Sequence, residues 1–108
     1  MKVLVPKVPT RIDRLSGQRV PAIDLNPASE YGKLFALTPP DKDLPFEDEL
    51  EQLRTNIAQM DPKDFILCVG DVALVAAAIC YANDMFGTVK LLRWEKRDQA
   101  YTVQEIQL

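Results

Sequence analysis

The sequence has 108 residues, 47% apolar and 27% charged, with a net charge of −3. A chain of this length holds one core, because two would each be too small to stand without metals or disulfides. The absence of histidine removes the His metal site and the Ser-His and Cys-His nucleophile pairs. No apolar run reaches the roughly 20 residues of a bilayer-spanning helix.

Charge is distributed unevenly. Residues 1–19 carry five basic side chains against one acid, whereas residues 20–62 carry nine acids against three bases. Lys2 and Lys7 precede no apolar run of signal-peptide length, since Arg11, Asp13 and Arg14 interrupt it. The expectation is a cytoplasmic protein with two reduced core thiols, because Cys68 and Cys80 both lie in apolar stretches and their spacing fits no zinc or redox motif.

Residues 1–18, punctuated by Pro6, Pro9 and Gly17, read as a basic N-terminal arm with at most an edge strand at Val3-Leu4-Val5. A single domain then covers residues 19–108. Arg19 to Leu25 is a strand candidate confined to an edge or bulge by Pro21, which lacks an amide donor. Asn26-Pro27-Ala28-Ser29 reads as a loop. Lys33-Leu34-Phe35-Ala36-Leu37 reads as a strand, stopped by Pro39-Pro40 and expected to pair antiparallel with the segment before it.

From Phe46 to Met60 the apolar residues Phe46, Leu50, Leu53, Ile57 and Met60 recur at helical spacing, and Glu47, Asp48 and Glu49 occupy the first turn, where the helix dipole favours anions. This run of acids reads first as a helix start and second as a docking patch for a basic partner. Pro62 ends the helix. Phe65-Ile66-Leu67-Cys68-Val69 lacks polar alternation and so predicts a strand covered on both faces at the sheet centre.

Gly70-Asp71 ends that strand. Val72 to Phe86 follows as a second helix, apolar on nearly every side and therefore expected to be largely buried, and Gly87 stops it. The remainder reads as a hairpin, Val89 to Glu95 and Tyr101 to Leu108, joined through Lys96-Arg97-Asp98-Gln99. Tyr101 and Val103 share one face while Ile106 and Leu108 fall on the other, which calls for a bulge or a change of cover near Gln104-Glu105. The predicted fold is α/β: a mixed sheet of about five strands with two helices, in the order β-β-α-β-α-β-β, closed by a C-terminal hairpin.

Chemistry has few candidate places. Gly70 and Asp71 form a strand–turn–helix junction, the usual place for a ligand in an open α/β sheet, but a single glycine matches no phosphate loop. Asp71 is also an obvious N-cap. If the central strands are parallel, Glu95 falls near the same sheet edge as Asp71, and the two carboxylates would suit a hard cation, although their spacing does not demand one. Arg93, Trp94, Lys96 and Arg97, with Tyr101 across the turn, mix bases with rings and can meet nucleic acid or a protein. The alternative is that Trp94 packs on the core beside Leu92 and the bases solvate the turn. Arg11, Arg14 and Arg19 in the N-terminal region are further phosphate candidates. Tyr31 reads as loop packing.

Asn26-Pro27-Ala28-Ser29-Glu30-Tyr31-Gly32, Val69-Gly70-Asp71 before an alanine-rich helix, and Lys90 to Arg97 followed by Tyr101 and Val103 resemble small proteins of tailed bacteriophages, many from marine samples. Those proteins usually read Gly-Asp-Pro and Lys-Trp-Asp-Arg, where this chain has Val72 after Gly70-Asp71 and Glu95 after Arg93-Trp94. The resemblance spans about Leu25 to Leu108. It implies a viral origin and action in a bacterial cytoplasm, and it brings no activity with it.

The sequence thus leads first to a non-enzymatic accessory protein that binds a protein partner or itself, as in a homodimer, through a sheet edge or the terminal hairpin. The alternatives are a nucleic-acid binder using the basic residues above, and a small nucleotide- or metal-binding enzyme or sensor around Asp71. No cofactor and no membrane contact are expected.

Overall fold

Four short apolar runs separated by very different stretches of chain come together as parallel neighbours. In the computed structural model, which describes residues 1–107, these are β1 (Lys2–Val5), β4 (Lys33–Ala36), β5 (Phe65–Leu67) and β6 (Val89–Glu95). The fifth strand, β7 (Ala100–Ile106), pairs antiparallel with β6, and the order across the sheet is β4-β1-β5-β6-β7. A separate two-stranded hairpin joins β2 (Thr10–Ile12) to β3 (Arg19–Pro21).

Connectivity sets which face each segment covers. From β4 through α1 (Phe46–Ile57) to β5, and from β5 through α2 (Val72–Phe86) to β6, the chain steps the same way across the sheet. Right-handed crossovers place both helices on one face. There Leu53, Ile57, Leu74, Ala78 and Ala82 pack on Leu4, Ile66, Val89 and Leu91. The step from β1 to β4 runs the other way, so its connection, including a 3-10 helix at Asn26–Tyr31, covers the opposite face. Ala28, Leu25 and Tyr31 close over Val3, Val5, Phe65, Leu67 and Leu92. The result is a compact α/β domain with a mixed five-stranded sheet, two main helices and a terminal antiparallel hairpin.

Several expectations meet the structure here. β5 is the middle strand, as its unbroken apolar run requires. β1 is an interior strand, however, lying between β4 and β5 rather than at an edge or in an arm. Its residues Val3, Leu4 and Val5 are buried on both faces, and this two-sided burial selects a central position. β4 pairs parallel with β1, not antiparallel with the segment before it, because that preceding segment is taken up in the β2–β3 hairpin and the 3-10 helix. Only Arg19–Pro21 of the predicted Arg19–Leu25 strand is extended in a ladder, and the supposed loop at Asn26 is helical.

The helices also differ from expectation in one respect. α2 buries Leu74, Ala78 and Ala82, but Val72 is 80% exposed and Ala76 and Cys80 lie open on the same side. It is therefore covered on one face only. Cys68 is half-buried and Cys80 is exposed, so the second thiol is not a core residue. Burial pushes the Cys68 thiol up from its ordinary value, partly offset by the charge of Arg93, which makes it a poor nucleophile.

In the terminal hairpin the register runs without interruption from Glu95–Ala100 to Val89–Ile106. The sequence irregularity is a change of cover: Tyr101 packs under the 3-10 helix side and Ile106 under the helical face. Leu108 lies outside the described residues.

The amino ends of the parallel strands are tied by a residue that pattern alone did not single out. Asp64, 1% exposed, accepts the Lys2 amide at 2.8 Å and the Asp61 amide at 2.9 Å, with the Lys2 ammonium 3.7 Å away. A carboxylate satisfied in this way joins the start of β1 to the turn before β5.

Candidate functional site

Adjacent parallel strands whose chains leave toward opposite faces open a crevice beyond their carboxyl ends. β1 and β5 are such a pair. The chain after β1 supplies Lys7, Val8, Pro9 and Thr10, and the chain after β5 supplies Val69, Gly70 and Asp71, to a broad hollow of about 650 Å³. Gly70 has φ +88°, and a Cβ on it would collide with the Lys7 carbonyl oxygen. The two loops touch at a point where only glycine fits.

The ionisable groups of this hollow are already engaged. Lys7 Nζ donates to the Pro39 carbonyl at 2.8 Å and the Lys42 carbonyl at 3.0 Å, and lies 2.7 Å from Glu49 Oε2. That oxygen is shielded from water and has no well-directed hydrogen bond, so the close ammonium is what offsets its burial. The Asp71 carboxylate accepts the amides of Ala73 at 2.8 Å and Leu74 at 3.4 Å and so caps α2. The donors a phosphate would use are thereby occupied by a negative charge. Asp43 takes two hydrogen bonds from the Arg19 guanidinium, each 3.2 Å. These bonds and the Arg19 charge hold its carboxyl below the usual range.

Beside this hollow, and sharing Ile23 and Val69 with it, is a predominantly apolar cleft of about 430 Å³ completed by Asp24, Pro27, Trp94 and Tyr101. Trp94 and Tyr101 face each other across the β6–β7 ladder and meet edge to face, with centroids 5.1 Å apart. Tyr101 is buried, whereas Trp94 keeps 42% of its surface exposed. Burial, and secondarily the charge of Asp24, raise the Tyr101 phenol above its ordinary value. The Tyr31 hydroxyl donates to the Tyr101 carbonyl at 3.1 Å, and the Tyr31 ring meets Phe65 edge to face, so Tyr31 packs against the core beneath the 3-10 helix.

The structure brings Gly70, Asp71, Trp94 and Tyr101 to this one end of the sheet. It leaves Glu95 outside both hollows, and no group of three His, Cys, Asp or Glu side chains that could hold a metal occurs among the described residues. The basic candidates are scattered. Arg19 is consumed by Asp43 and Arg93 donates to Gln104 at 2.7 Å. Arg11 and Arg14 are exposed on the β2–β3 hairpin, and Lys96 and Arg97 on the β6–β7 turn. Sequence reasoning missed Lys7, Ile23, Pro27 and Val69 as lining. The one available signal was the Pro6–Pro9 stretch directly after Val3-Leu4-Val5, which marks a strand's end rather than an arm.

Comparison with known proteins supplies the family. The model described as "Phage Pam3 gp32-like protein" matches residues 1–108. The chain belongs to that family. It is a small phage protein, and no described helix of it is long and apolar enough to cross a membrane. No curated protein and no solved structure matches.

Proposed function

We propose that this phage protein is a non-enzymatic binding module, working in the bacterial cytoplasm, that holds an apolar side chain of a protein partner in the Trp94–Tyr101 cleft. The observation that carries this reading is the half-exposed indole of Trp94 forming one wall of an apolar hollow. A large ring left in water beside a concave apolar surface is the usual form of an interaction hot spot. With Asp43 paired to Arg19 and Lys7 to Glu49, the carboxylates of Asp24 and Asp71 give the two joined hollows an excess of negative charge. That balance favours a partner segment carrying basic residues next to its apolar anchor, and it disfavours a phosphate backbone.

The test is chemical-shift mapping with an acetylated, amidated Arg-Leu-Arg peptide. Saturable shifts at Ile23, Val69 and the Trp94 indole are expected, and Trp94→Ala should abolish them. The variant loses the edge-to-face contact, about 0.5–1.5 kcal/mol, in addition to the apolar area Trp94 buries, and the dispersion of the same spectrum reports whether it is folded. Shifts confined to another surface, such as the open face of α2, would refute the assignment. A second reading draws on the exposed Arg11, Arg14, Lys96 and Arg97: a single-stranded oligonucleotide that moves these residues at low salt and releases them at moderate salt would favour nucleic acid.

A further inference from the structure

The same molecule that carries an apolar cleft also carries a knob. At the tip of the β2–β3 hairpin Leu15 is 98% exposed and Ile12 is 58% exposed, with Arg11 and Arg14 exposed beside them. Such apolar exposure at a loop tip usually relaxes by disorder, but this turn is built. The Asp13 carbonyl accepts the Gly17 amide, and the Asp13 amide donates to the Gln18 carbonyl, both at 2.8 Å. The Asp13 carboxylate accepts the Ser16 hydroxyl at 2.8 Å and the Leu15 amide at 3.4 Å. The hairpin's base is anchored by the Arg19–Asp43 pair and by the Ala22 amide donating to the Pro9 carbonyl at 2.7 Å. A leucine presented on a preformed turn loses little conformational entropy on docking.

The charges of knob and cleft are opposite. The tip carries Arg11 and Arg14 against the single carboxylate of Asp13, which accepts hydrogen bonds within its own turn, so the tip is positive overall. The cleft and its neighbouring hollow present Asp24 and Asp71 beside Ile23, Val69, Trp94 and Tyr101. We infer that the Leu15 tip of one copy inserts into the Trp94 cleft of a second copy, with Arg11 and Arg14 set against Asp24 and Asp71. This inference rests on the cleft being a docking site. Because knob and cleft are different surfaces of the same chain, the contact is heterologous, and repetition builds a ring or an open filament rather than a two-fold dimer.

Sedimentation velocity over a concentration series tests it, with two variants at exposed or partly exposed positions. Leu15→Asp removes the knob and keeps the cleft, and Ile23→Asp spoils the cleft and keeps the knob. The wild-type protein is expected to grow past a dimer as concentration rises, and less so at high salt, while each variant alone stays monomeric with an unchanged melting curve. Mixing the two variants should restore a one-to-one dimer that grows no further, since one functional knob meets one functional cleft. A wild-type protein that stays monomeric at millimolar concentration overturns the inference. So does assembly that survives both substitutions, as pairing through the open face of α2 would, or a mixture that stays monomeric. If the wild type is monomeric while Arg-Leu-Arg still shifts the cleft, only the second copy as occupant is refuted. If the peptide is also silent, the docking site falls with it.

Discussion

At the amino ends of the parallel strands a carboxylate is buried and every polar group around it is answered from within: Asp64 takes the amides of Lys2 and Asp61 and faces the Lys2 ammonium. At the carboxyl ends the balance is inverted. The charged groups are again satisfied internally, Lys7 by carbonyls and Glu49 and Asp71 by the start of α2, but apolar groups, Trp94 and Ile23 among them, are left facing water. The first end stabilises the fold. The second retains uncovered apolar surface around Trp94 and Ile23, and the proposed docking site lies there.

The comparison is sharpest where it predicts a large loss of stability without loss of binding. Asp64→Ala leaves two part-buried amides without their acceptor at about 1–3 kcal/mol each, so the urea midpoint should fall by an amount equivalent to about 2–6 kcal/mol while Arg-Leu-Arg still shifts the cleft. An unmoved midpoint would show that water replaces the carboxylate and that the amino edge is not the structural one. Gly70→Ala should affect both properties. Its left-handed backbone and the Lys7 carbonyl make the substitution cost about 1–3 kcal/mol, and separating the two loops should shift the amides of Val8 and Thr10 in a two-dimensional NMR spectrum. Retained stability with unshifted loops would show that the crevice is not fixed by this contact.

The smallest expected effect is on pH. Asp43 has a depressed carboxyl, chiefly through hydrogen bonds from Arg19 and then its charge. The tether it provides is therefore complete above the ordinary carboxylate range and is lost as pH falls through the lower folded value. Because the pair is exposed, the consequence is local: once acid has passed below the ordinary carboxylate range, the hairpin amides, Arg19 and Val20 foremost, should lose protection relative to their intrinsic exchange rates, with little change in global stability. Hairpin exchange insensitive to acid would mean that the β2–β3 base is held by the Ala22–Pro9 bond instead.

Much of this architecture is legible in the sequence, and the omissions share a cause. α1, α2, β5 and the terminal hairpin carry their period or their punctuation within a short window. β1 does not. Three apolar residues among prolines look peripheral until their parallel partners at Leu34–Ala36 and Phe65–Ile66 are known, and parallel pairing leaves no local turn signal. Asp64 looks like a turn acid beside Lys63, since burial of a charge depends on which amides the fold brings to it. Gly70-Asp71 is readable as a strand-to-helix junction because such a junction has a local signature, and the structure places both residues on the hollow beyond β1 and β5. The facing wall, Ile23 and Pro27, belongs to a connection that looks generic by composition.

The interior position of β1 also dictates an order of events in folding. Its bond from Lys2 to Asp64 closes 62 residues of chain, and both neighbours, β4 and β5, follow it in the sequence. Closing a loop of that size costs entropy before any ladder bond offsets it, so folding must wait for long-range contacts, as in slow topologies of high contact order. During synthesis Val3, Leu4 and Val5 emerge before both of the strands that will flank them. Until β5 arrives they are an exposed, sticky strand, and the basic residues that follow them at Lys7, Arg11 and Arg14 are the nearest charges available to discourage its pairing with another chain.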